Sequence, residues 1–346
     1  MGLMDVDKTP MRDNTPKRVE ELWFEDGGLV VQAEQSLFRV YRGILAARSS
    51  VFKDMLAFTQ PPDAEIIDGS TVIRLPDTAE DVTYFFRAIF DSSFFETYPS
   101  KVCFDSVLSI ARLSHKYSVD YLLHRALVHL SYEFPTTLSA FDERNIASPD
   151  FQNIRSTNLQ DIMLTHESIS AHLAVIQLSR RVNALWLLPL AFYQLAPAHK
   201  ETIHDCLQCS AFATHPAELD GDDQILLLTF SILLSRMEHD ALDFLHCTDD
   251  NTQCAGGNQC SRARLRAITQ ARNHMTTSTG PNPLEISKVY CPDIWDGLLE
   301  TCCAACFTHL EETHDEARQK IWDKLPDLCG LPPWSELEKM KAEALD

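Results

Sequence analysis

Short apolar runs of alternating polarity dominate the first part of the chain, and runs with a period near 3.6 take over after it. Leu22-Trp23-Phe24 and Leu29-Val30-Val31 flank Glu25-Asp26-Gly27-Gly28, which predicts two strands joined as a hairpin through a Gly-containing turn. Leu37-Phe38-Arg39-Val40-Tyr41 alternates as a third strand, and Ile44 to Ala47 cluster as a short buried helix. Ser49 and Ser50 are N-cap residue types, placed before a helix that carries Val51, Phe52, Met55 and Leu56 on one face. Pro61-Pro62 breaks the chain, and Thr71 to Leu75 supply a further strand that Pro76 closes. Thr78 with Asp81 fits a loose capping box for a helix whose stripe is Val82, Phe85, Phe86, Ile89 and Phe90, too aromatic to be left in water. Beyond a loop at 91–100, Phe104, Val107, Leu108 and Ala111 and then Tyr121, Leu122, Ala126, Leu127 and Leu130 predict two more helices.

The rest of the chain reads as mainly helical. Residues 133–160 are rich in Ser, Thr, Asn and Pro and read as a connector. Ile169, Leu173, Ile176 and Leu178 lead into Val182, Leu185, Trp186 and Leu188, a helix expected to end or kink at Pro189. Residues 225–234 are apolar almost all round and read as a core helix. There is no repeat of fixed period and no low-complexity tract.

Phe38-Arg39-Val40-Tyr41-Arg42-Gly43-Ile44-Leu45-Ala46-Ala47-Arg48-Ser49-Ser50-Val51-Phe52 resembles the BTB/POZ signature that joins an early strand to the first helices. Val72-Ile73-Arg74-Leu75-Pro76-Asp77 is similar to that family's middle strand, and Leu108 to Tyr117 to its closing helix, in the same order. Tyr41 stands where the family usually has His, which reads as a packing variation. Ile176 to Tyr193 and Lys320 to Trp334 resemble the C-terminal half of fungal BTB proteins, a likeness that carries no mechanism.

The expectation is thus an α+β chain: a polar leader at 1–19, a BTB/POZ domain of short strands and helical hairpins at 20–132, a connector at 133–160 and an α-helical C-terminal domain at 161–346. The resemblance implies self-association through the N-terminal helices of the first domain and docking of other proteins, with the second half selecting an unknown client. Phe94-x-Glu96 loosely resembles the hydrophobic-x-acid element of cullin-binding BTB domains, which makes Phe94, Phe95 and Glu96 candidates for partner binding. The competing reading, favoured here, has Phe94 and Phe95 plugging their own core.

Charge narrows the function classes. Fifty acidic residues against 30 basic ones leave a net charge of −20, which opposes the phosphate neutralisation that nucleic-acid binding needs. No apolar run approaches the roughly 20 residues of a membrane span, and residues 1–18 lack the apolar region of a signal peptide, so a cytoplasmic or nuclear location is expected. Thiols stay reduced in those compartments, so the 11 cysteines are read as buried side chains or metal ligands rather than disulfides.

Ten of those cysteines lie beyond residue 200. Cys206-x-x-Cys209 and Cys303-x-x-Cys306 have the gap that lets paired thiolates share a tetrahedral metal, and Cys247, Cys254 and Cys260 add thiols near Gly256-Gly257. A mixed structural zinc site at Cys254, Cys260, Cys303 and Cys306 is one reading, and buried reduced thiols are the favoured alternative. His309 and His314, with Glu311, Glu312, Asp315 and Glu316, read as a solvated acidic helix face rather than a ligand cluster. No phosphate-binding loop, nucleophile elbow or zinc-protease helix occurs, so no residue can be named for catalysis. A binding scaffold is expected rather than an enzyme, in one form an adaptor bringing a client to a cullin-type ubiquitin ligase. The alternatives are a transcription-associated BTB scaffold and a C-terminal domain organised by zinc.

Overall fold

The computed structural model describes residues 15–58, 65–147, 154–155, 166–196, 210–212, 215–246, 254–277, 282–288 and 291–346. The chain is mixed α+β and divides into two compact units, one formed by Met1–Phe95 with Leu113–Leu122, the other by Glu96–Arg112 with Leu123–Asp346.

The first unit is built on a five-stranded sheet of β1 (Lys17–Trp23), β2 (Leu29–Ala33), β3 (Ser36–Val40), β4 (Ile66–Ile67) and β5 (Ser70–Leu75), in the order β1-β3-β2-β5-β4. The expected hairpin between the first two strands does not form. β1 pairs in parallel with β3, and the hairpin is β2 with β3, where Ala33 faces Ser36 across a two-residue loop. Glu34 turns that loop at φ 47°, a left-handed residue of the kind a tight reversal requires. Gly27 and Gly28 instead serve a turn after which β2 lies beyond β3 in the sheet. A side chain at Gly27 would press on Phe24 O and the Arg39 backbone at 3.0–3.1 Å, so glycine lets these segments approach.

Helices α1 (Arg42–Arg48), α2 (Ser50–Ala57) and α3 (Ala79–Phe90) belong to this unit, joined by one end each of α4 (Phe104–Tyr117) and α5 (Asp120–Glu133). Ser49 caps α2, its side chain accepting the Phe52 N–H at 3.0 Å, and its hydroxyl donates to Tyr117 O. Thr78 caps α3 by accepting the Asp81 N–H at 3.2 Å. Phe52 is fully buried, stacked on Tyr117 at 4.6 Å between ring centres and tilted against Phe86 at 6.4 Å. Asp77 holds both the Tyr117 hydroxyl and the Lys116 ammonium, so capping bonds, aromatic packing and an ion pair meet around one residue. Tyr41 stacks on Phe24 at 4.9 Å and donates to Asp26 at 2.7 Å, so its ring and its hydroxyl are both engaged in the unit.

The second unit contains α6 (Leu138–Ala147), α7 (His166–Val182), α8 (Leu188–Leu195), α9 (Gly221–His246), α10 (Asn258–Thr277), α11 (Pro292–Thr301), α12 (Ala304–Leu328) and α13 (Trp334–Leu345). Two short strand pairs accompany them: β6 (Val102–Cys103) parallel to β7 (Ile154–Arg155), and β8 (Ser210–Phe212) antiparallel to β9 (His215–Ala217). Part of the segment read as a connector is therefore helical. In α6, Phe141 is buried against Trp322 at 5.4 Å, and Arg144 reaches Glu133 at 3.2 Å in an ion pair almost closed to solvent. Trp322 also stacks on Trp334 at 5.2 Å and donates to Thr136 O at 3.3 Å, while Arg318 grips Asp142 with two bonds of 2.6 and 2.8 Å.

Two expectations for this unit need correction. Pro189 does not end a helix: α7 stops at Val182, Asn183 takes φ 58°, and Pro189 sits in the first turn of α8, where a missing N–H costs nothing. Nor are residues 225–234 buried all round, since Leu227, Phe230 and Leu234 face the core while Ile225, Leu228 and Ile232 are exposed.

Replacing Phe52 by Ala should lower the unfolding free energy by about 3–5 kcal/mol, because stacked contacts as well as apolar area disappear; a chemical-denaturation midpoint shift equivalent to less than about 1 kcal/mol would refute the anchor role. A second expectation concerns Glu285, whose carboxyl burial pushes up to about 7 from an ordinary 4.5. Between those values the folded chain keeps a proton that the unfolded chain releases, so this group weakens the fold as pH rises through the interval. Glu285→Gln should melt higher than the parent at about pH 8, with the gap closing as pH falls toward about 4.5; a gap independent of pH would contradict the assignment.

Candidate metal centre

The Cys254, Cys260, Cys303 and Cys306 sulfurs come together, all within 4.8 Å of one another. Each pair of ligands flanks or enters the start of a helix. Gly257 at φ 46° bends the chain before α10, with Cys254 upstream of the bend and Cys260 in the first turn of the helix. Cys303 is the N-cap of α12 and Cys306 lies in its first turn, so the two-residue gap seen in the sequence becomes cap and first turn of one helix. Two positive helix ends thus meet at the sulfurs.

The backbone around the cluster is shaped for sulfur. The Cys303 N–H donates to Cys260 Sγ at 3.3 Å. The Cys254 thiol is held below its ordinary range by interaction with Cys306 and by the Gly256 and Gly257 N–H groups. The N–H groups of Cys306, Ala255 and Gly256 draw the Cys303 thiol down to about 6, although none is aligned as a cap bond on α12. Burial acts the other way on Cys306 and raises its thiol. Cys302, next in sequence, is outside the cluster, and burial pushes its thiol up to about 11. A site with two thiolate-favouring positions and one costly buried thiol is one in which a cation would relieve the buried member.

Bonds of ~2.3 Å from zinc to thiolate place sulfurs ~3.8 Å apart in a tetrahedron, so the cluster lies within about 1 Å of the edges such a centre needs. Two cysteines are buried and two half-buried, and all eight described cysteines are free thiols. Gly256 completes the site. A Cβ there would collide with Cys260 Sγ and touch Cys303 Cβ at 3.7 Å, so the loop closes on the sulfurs only without a side chain.

The remaining candidates fall as follows. Cys206, Cys209 and Cys247 lie outside the described residues. Phe95 is buried, while half-buried Phe94 stacks on Tyr84 at 6.1 Å and lies under Arg87 at 4.0 Å; Glu96 is exposed and its backbone carbonyl meets His129 Nε2 at 2.9 Å. His314 corrects the reading of a solvated face. It is buried, its Nε2 lies 2.5 Å from Ile286 O, and Trp295 and Phe244 pack against it at 4.7 and 4.9 Å. The acidic neighbours do face water, with Asp315 and Glu316 largely exposed. Sequence spacing could not find that histidine's partners, because Ile286 and Phe244 lie on other elements.

Among the described residues no helix is long and apolar enough to cross a membrane. No known protein family, characterised protein or solved structure matches the chain.

Gly256→Ala should lower zinc content from about one ion per chain toward zero, measured by elemental analysis of purified protein, because the added methyl displaces Cys260 Sγ. Gly297→Ala in α11, where a methyl meets nothing within 4 Å, serves as the control and should leave the stoichiometry unchanged.

Proposed function

We propose that the chain is a protein-interaction scaffold whose second unit is fastened by a structural zinc ion on Cys254, Cys260, Cys303 and Cys306. The observation that carries the zinc assignment is the convergence of four sulfurs within 4.8 Å at two helix starts. Four thiolates fill a tetrahedral shell and leave no position for a substrate, as in closed structural sites rather than open catalytic ones. Thiolate donors also favour zinc over the hard cations magnesium and calcium. In this reading the ion clamps the start of α10 to the start of α12.

The scaffold reading of the first unit rests on its resemblance to BTB/POZ domains. The element order of the unit supports it: strands, a short helix pair, a strand, an aromatic-faced helix, then the helix ending in Tyr117. The ligase-adaptor form of the proposal has less residue-level support, since Phe95 is buried and Phe94 is engaged by Tyr84 and Arg87, which leaves Glu96 as the exposed member of the Phe94-x-Glu96 element.

One preparation tests both parts. Zinc analysis before and after chelation should give about one ion per chain and a lowered melting temperature on its removal. Light scattering with and without a cullin N-terminal fragment should give a self-associated species; saturable cullin binding would select the adaptor form, and a dimer that ignores cullin would select a scaffold with other partners. A zinc-free monomer whose melting is indifferent to chelator would overturn the proposal.

A further inference from the structure

The outer face of α9 presents Ile225, Leu228 and Ile232 to solvent at 65%, 46% and 58% exposure. With Ser235 they recur at steps of three, four and three residues, the 3.5-residue period of a seam between two helices, with isoleucine and leucine alternating along it. No exposed position between Asp222 and Arg236 carries a charge. The hydroxyls there are turned inward as well. Thr229 donates to Ile225 O at 2.8 Å, Ser231 to Leu227 O at 3.1 Å and Ser235 to Ser231 O at 3.0 Å, so each satisfies its polar hydrogen on its own helix. The three aliphatic side chains leave on the order of 300 Å² of apolar surface, comparable to the largest patch on an ordinary monomer, which is often functional.

The charges that bound this face say what covers it. Asp222 at one end and Arg236 at the other are both exposed, and neither makes an ion pair among the described residues. They are fourteen positions apart by numbering, two heptads, and so lie on the same flank of the seam. Were two copies of α9 laid side by side in parallel, this flank would face the opposite flank of the partner, where Asp222 and Arg236 meet no opposite charge. Laid antiparallel, each Asp222 meets the Arg236 of the other copy, and the face complements itself about a two-fold axis. A membrane surface would call for a row of cationic flanks, which this face lacks.

We propose that α9 is the self-association helix of the second unit, pairing antiparallel with α9 of a second copy through Ile225, Leu228 and Ile232, with Asp222 and Arg236 setting the direction. This contact is independent of the zinc centre and of any association through the first unit.

Sedimentation equilibrium on the full chain tests it. Leu228→Glu with Ile232→Glu would bury carboxylates in the seam and should weaken one association step by roughly 100-fold or more, while at concentrations where the parent is dissociated the two chains should melt alike, since both residues are exposed in the single chain. Asp222→Arg and Arg236→Asp should each weaken the step severalfold, and the two together should restore it, an outcome that only self-pairing in the antiparallel sense produces. Equal association constants for the parent and the Leu228→Glu, Ile232→Glu chain would overturn the proposal, as would a parent that stays monomeric. Failure of the double charge exchange to recover association would overturn the antiparallel arrangement.

Discussion

Four sulfur atoms within 4.8 Å of one another cannot all be ionised unless something positive stands among them, and much of the second unit is arranged around that constraint. Two helix starts, the Cys303 N–H and a glycine that yields its side-chain space converge on the same point. Helix α12, which starts there, runs on to place His314, Arg318 and Trp322 in the interior of the unit. What holds the first turn of α12 therefore also sets the direction along which those buried groups are delivered.

The first unit depends on a different kind of junction. Phe52, Phe85 and Phe86 form an aromatic core, and Tyr117 enters it from a segment far along the chain. Ser49 ties the cap of α2 to the carbonyl of Tyr117, and Asp77 ties the Tyr117 hydroxyl to the turn before α3. A buried hydroxyl without partners would oppose this packing, so the polar contacts are what make Tyr117 acceptable there. In the scaffold reading proposed above such rigidity would preserve affinity, because ordering a loose surface at the moment of binding would subtract from it.

The two halves of the candidate site differed in how legible they were. The residues themselves could be named from the chain, since cysteine spacing and the neighbouring glycines are local signals. The two-residue gap singled out Cys303 with Cys306, and what the chain left open was whether they meet Cys254 and Cys260 or stay separate buried thiols, because that depends on the starts of α10 and α12 coming together. The necessity of Gly256 was equally hidden, because the atom that forbids a side chain there belongs to Cys260, four residues on and already in the first turn of α10.

Local chemistry along the chain determined where α2 and α3 begin, through Ser49, Thr78 and the spacing of apolar positions, because a cap or a stripe is satisfied by neighbours in sequence. It determined the mixed α+β class for the same reason. Strand partners were decided only in three dimensions: consecutive β1 and β2 looked like a hairpin, yet β3 lies between them, since pairing depends on the whole sheet and not on the turn between two runs. The exposed side of α9 was likewise invisible, because an all-apolar run says that a helix has something to cover on every side without saying which side its own chain covers. Long-range packing supplies that answer, and with it the surface left over for another molecule.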